Sequence, residues 1–82
     1  MPKNVSQQIY RVIAQECGVK AKAITGKTLF MSNPNFSYFE VVAALYTLQH
    51  KLHVSLPESD YGKYETVGAL TRNIIGQLKK QK

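Results

Sequence analysis

The sequence is poor in the residues that would staple it covalently or hold it in a membrane. It contains one cysteine, Cys17, so no internal disulfide can form and a reducing compartment is expected. Its apolar runs are short, as in Val41-Val42-Ala43-Ala44-Leu45, far below the ~20 residues that span a bilayer. The start, Met1-Pro2-Lys3-Asn4, has no apolar stretch with a small-residue cleavage site behind it. A soluble, cytoplasmic protein with no membrane span is therefore expected. No repeat, low-complexity tract or strand-like alternation is present. Acidic residues are scarce too, with 5 Asp and Glu against 11 Lys and Arg, for a formal net charge of +6.

The shortage of acid is uneven. Residues 1–27 carry Lys3, Arg11, Lys20, Lys22 and Lys27 against Glu16 alone. Residues 28–75 are nearly balanced, with Lys51, Lys63 and Arg72 against Glu40, Glu58, Asp60 and Glu65. The tail, about 79–82, adds Lys79, Lys80 and Lys82. Solvated ends that aid solubility are the simpler reading, and attraction to acidic partners or polyanions is the other.

What is present is enough for one small globular domain. The 82 residues are 44% hydrophobic, which excludes a disordered composition and allows a single modest core. A chain of this size favours binding or carrying over catalysis. No nucleophile–base pair or metal cluster is visible, so the protein is not expected to be an enzyme.

Apolar spacing marks the helices. Val5, Ile9, Val12, Ile13 and Cys17 form one face, with Asn4 able to cap it and Gly18 at the C′ position. A first helix over about 5–17 is predicted. Residues 18–36 form a long loop rich in Gly, Asn and Pro, with Val19, Ile24, Leu29 and Phe30 as apolar anchors to the core. Ser37-Tyr38-Phe39-Glu40 reads as a capping box. It opens a second helix over about 38–52 whose apolar stripe is Phe39, Val42, Leu45, Leu48 and Leu52. Pro57 precedes a short helix over about 58–63. Thr66 caps a last helix with Val67, Leu70, Ile74 and Leu78 on its buried face. The fold class is all-α, three longer helices and one short helix around a long first loop.

That order, and the joint spacing of several landmarks, resembles the acyl carrier and peptidyl carrier proteins over roughly residues 5–76 without a gap. The landmarks are Gly18-Val19, Ile24, Phe30, Leu48, Leu52, Leu56-Pro57 and Thr66-Val67. The resemblance implies a four-helix acyl-carrier-like bundle in one domain, 1–82. In that family an Asp-Ser-Leu triplet opens helix two, and its serine holds phosphopantetheine. Here the triplet positions are Ser37-Tyr38-Phe39. Tyr38 occupies the serine position, so no covalent cofactor is expected.

Ser37 is the fallback attachment residue, although shifting the triplet by one would move Leu48 and Leu52 off the buried register. Helix two also lacks the acidic face with which family members meet basic patches on their enzymes, keeping only Glu40.

The resemblance therefore implies a non-catalytic module. It would bind a fatty-acid or polyketide type biosynthetic enzyme, or a complex, with a non-basic docking surface. The expected partner-binding residues are Phe36, Tyr38, Phe39 and Glu40, on a monomer. The alternatives are a working carrier modified at Ser37 and a non-covalent acyl or lipid binder with an internal cavity.

The remaining features have plain readings. His50 and His53 could share a metal, but no third ligand accompanies them, so they are expected as solvent-facing residues of the last turn. Cys17 lies in an apolar stripe and is expected to be buried and inert. Tyr46 and Tyr64 are expected in or beside the core. Aromatics with nearby lysines can bind single-stranded nucleic acid, but no RRM, KH or helix-turn-helix pattern supports that here.

Overall fold

The structure is a computed structural model that describes residues 5–80. The expected Asn4 cap and the last two residues of the basic tail lie outside them. Three α-helices are present: α1 (Val5–Cys17), α2 (Tyr38–Leu52) and α3 (Val67–Lys80). Two short 3-10 helices, Ala21–Ala23 and Glu58–Lys63, lie in the connections. The fold class is all-α: among the described residues there is no strand, only one isolated antiparallel bridge between Leu29 and Thr66.

The helix ends follow local chemistry. Gly18 closes α1 at φ +71°, and the Val19 amide donates to the Ala14 carbonyl at 3.0 Å, a Schellman closure. Ser37 opens α2 with both halves of the capping box formed. His53 ends α2 in the left-handed region at φ 55°, an uncommon place for a non-glycine residue. Thr66 opens α3, its hydroxyl accepting from the Ala69 amide at 3.1 Å. The expected short helix over 58–63 is a 3-10 helix. Gly62 falls within it, and the tighter 3-10 turn suits such short pieces.

The core joins one face of each helix. Val5, Ile9, Val12, Ile13, Ala14 and Cys17 come from α1, and Val67, Leu70 and Ile74 from α3. Leu78 packs only partly against this core. α1 packs on both α2 and α3. From α2 come Val41, Ala44, Leu45 and Leu48. This differs from the predicted stripe at its start, because Phe39 is 86% exposed. Successive steps of three drift round the helix by about 60° each at 3.6 residues per turn. Phe39 therefore stands about 180° from Leu48, while Val41, Ala44, Leu45 and Leu48 share one side.

The long first loop is held by its backbone as well as by its apolar side chains. Ile24 and Phe30 are buried as expected, whereas Val19 and Leu29 are exposed. Leu29 sits on the bridge to Thr66, where the backbone makes the contact. Four amide–carbonyl bonds clamp this loop to the start of α3: Phe30 to Glu65 at 2.8 Å, Met31 to Tyr64 at 3.3 Å, Val67 to Thr28 at 2.8 Å and Gly68 to Gly26 at 2.9 Å. Gly68 is required by this contact, since a Cβ there would lie 2.8 Å from the Gly26 carbonyl oxygen.

Side-chain amides support the connection after α2. Gln49 accepts from the Leu56 amide, and Gln77 both accepts from and donates to the Ser55 backbone. These bonds satisfy backbone polar groups that have no secondary-structure partner.

Candidate functional site at the start of helix α2

Residues 37–40 sit where the long loop enters α2. The Ser37 hydroxyl oxygen accepts from the Glu40 amide at 3.1 Å, and the Ser37 amide donates to Glu40 Oε1 at 2.8 Å. The two polar side chains of the segment are thus committed to each other's backbone. Glu40 also places negative charge in the first turn, which the helix dipole favours.

The two aromatics between them have no such task. Tyr38 is 58% exposed and Phe39 86% exposed. Phe36 differs from them. It packs partly buried against the core, and its amide donates to the Asn33 carbonyl at 3.1 Å. Of the four expected partner-binding residues, two present aromatic surface, one anchors the loop and one caps the helix.

One further tyrosine extends this surface. Tyr46 is 60% exposed, against its expected place in or beside the core. It lies seven residues after Phe39, roughly 10 Å along the same helix and only about 20° round from it. Tyr61, from the 3-10 helix, is buried. Burial pushes the Tyr61 phenol pKa up, and the phenols of Tyr46 and Tyr38 and the Glu58 carboxylate add to the rise. Tyr61 in turn lies 6.4 Å from Tyr64, ring to ring, at 44°. Tyr64 is fully buried, as expected, and its hydroxyl has no hydrogen-bond partner among the described residues. Burial, then Asp60 and Tyr61, pushes its pKa up as well.

The signal that would have found Tyr46 was angular. Once Val41 and Ala44 take the buried side, Tyr46 is forced outward. Tyr61 offered no such signal, because its place depends on how the 3-10 helix docks.

The other chemistry-bearing residues do not assemble. Cys17 is buried, and its thiol is pushed up to about 11 by burial, with Glu40 and Glu16 adding repulsion. A thiol held so far above neutrality is a poor nucleophile. His50 and His53 are both exposed and line a shallow depression of about 260 Å³ with Gln49. No group of three metal-ligating side chains occurs among the described residues. No described helix is long and apolar enough to cross a membrane.

No protein-family model matches the chain, and no curated protein matches it.

Proposed function

We propose that this protein is an acyl-carrier-like interaction module without covalent phosphopantetheine, docking on a biosynthetic enzyme or complex through the start of α2. The carrying observation is the division of labour in the segment Ser37–Glu40. Ser37 and Glu40 hold each other in the capping box, while Tyr38, on the position of the family's serine, stands open to solvent beside Phe39. Exposed aromatics on a helix held rigid at its end supply contact area at low entropic cost.

Further support comes from the element order. A long helix, a long loop, a second long helix, a short 3-10 helix and a last helix are compatible with the carrier layout. The scarcity of acid on α2 favours a partner surface that is not basic. The proposed contact surface is Tyr38, Phe39 and Tyr46, with Phe36 and Glu40 as its supports. The protein performs no chemistry of its own.

Two measurements test this reading. Intact mass after incubation with coenzyme A and a broad phosphopantetheinyl transferase should remain unchanged. An adduct on Ser37, whose side chain is exposed, would establish a working carrier instead. In affinity capture, a partner held by the wild type should be lost when Tyr38 and Phe39 are both changed to Ala. Retention of every partner by that variant would overturn the proposed surface.

A further inference from the structure

A second surface, on α1, differs from the first in charge. Arg11 projects from the exposed side of α1 and lines two adjoining depressions. One holds about 380 Å³, with Tyr10, Lys22 and Ile24 among its walls. The other holds about 230 Å³, with Val12 and Lys51 among its walls. They lie on the two flanks of α1, since Tyr10 and Val12 stand about 200° apart round the helix, with Arg11 on the crest between them. This surface carries apolar residues in its depressions and three cations, Arg11, Lys22 and Lys51, all exposed. Among the described residues the other walls include glutamines and no carboxylate.

None of the three cations is ion-paired among the described residues; the one ion pair there is Lys63 with Asp60. The nearest acid in sequence to Arg11 is Glu16, and its carboxylate accepts from the Thr47 hydroxyl at 3.1 Å. This surface is therefore cationic, with no carboxylate lining either depression. Lys51 lies thirteen residues beyond Tyr38 on α2, roughly 20 Å along the helix.

We infer that this surface docks an acidic segment of a partner protein, which crosses α1 over Arg11, seats an apolar side chain against Tyr10 and Ile24 and places carboxylates on Arg11, Lys22 and Lys51. The charge selects an anion, and the guanidinium of Arg11 can take a carboxylate through two parallel hydrogen bonds. The apolar floor selects a peptide over a nucleic acid. Affinity for a phosphate backbone grows with the number of phosphates neutralised, and three cations with a half-buried tyrosine supply little of that. The inference does not rest on the reading of Tyr38.

The test uses the full chain and a fluorescent peptide of repeating Glu-Glu-Leu, followed by anisotropy. Saturable binding is expected, weakening as salt rises past the point where the screening length falls below about 10 Å. Arg11→Glu should lower the affinity about tenfold or more, and Lys22→Glu with Lys51→Glu should do the same. Lys79→Glu, which makes the same change of net charge as Arg11→Glu but away from this surface, should have little effect. These sites are exposed, so thermal unfolding should be nearly unchanged, which separates lost binding from lost fold.

Absence of saturable binding overturns the inference. So does an equal loss in Lys79→Glu, which would mean that net charge alone attracts the peptide. So does tighter, Arg11-dependent binding of a single-stranded oligonucleotide. Retained capture of a partner through Tyr38 and Phe39 in the Arg11→Glu variant would keep the two surfaces distinct.

Discussion

The starts of α2 and α3 solve one problem in two ways. Each must satisfy the first amides of a helix. At α2 the solution is local: Ser37 and Glu40 exchange bonds within four residues, and the surface around them stays open. At α3 the solution is mostly long-range. Carbonyls of Thr28 and Gly26 receive the amides of Val67 and Gly68, and only the Ala69 amide is met by a side chain, that of Thr66. The first arrangement leaves Tyr38 and Phe39 available to another molecule. The second is closed by the chain itself. A helix start that uses its own side chains keeps its outer surface for binding; one that uses a distant loop spends that surface on the fold.

The largest effect that would break this contrast is expected at Gly68. Gly68→Val puts branched bulk where even a Cβ meets the Gly26 carbonyl at 2.8 Å. Stability should fall by about 1–3 kcal/mol, as overpacking usually does, read by chemical denaturation. Gly76 in the same helix is the control. A Cβ there meets nothing within 4 Å, so Gly76→Ala should raise stability by about 0.5–1 kcal/mol. A drop at Gly76 as large as that at Gly68 would mean that the loop clamp is not what makes Gly68 necessary.

The caps come next. Ser37→Ala and Thr66→Ala should each lower stability by about 0.5–2 kcal/mol. The loss at Thr66 should be the greater, because its cap bond is part-buried whereas that of Ser37 is exposed. Equal losses would blur the distinction between a local and a long-range helix start.

Tyr64→Phe should act in the opposite direction. It removes a buried hydroxyl that has no partner among the described residues, so stability should be unchanged or higher by up to about 1 kcal/mol. A marked loss would reveal a hydrogen bond that the hydroxyl makes in solution.

The smallest effect on the fold is expected at the open surface. Tyr38→Ala with Phe39→Ala should change stability by no more than about 0.5 kcal/mol, while removing the partner. A large loss of stability would reassign these aromatics to the core.

Much of the architecture was legible because its signals are short-range. α1 over 5–17 and α2 over 38–52 could be delimited from Gly18 and from the Ser37–Glu40 box, and α3 from Thr66. Each of these acts on atoms within a few residues. The same holds for one part of the site, the commitment of Ser37 to a cap. What was not legible was which side of each residue meets the rest of the molecule. Phe39 entered the predicted stripe because it is apolar and three residues from Val42, yet it faces water. Tyr46, expected in or beside the core, faces water as well.

The local sequence by itself thus determined the all-α class, the helix ends, the apolar face of α1 and the uneven charge of the chain. Only the tertiary structure decided the rest. It chose Val41 and Ala44 for the interior, turned Phe39 and Tyr46 outward, buried Tyr61, and drew Gly26 against Gly68. The physical reason is range. Caps and turns are satisfied by neighbours along the chain, whereas burial and close backbone approach depend on surfaces that meet only when distant segments pack.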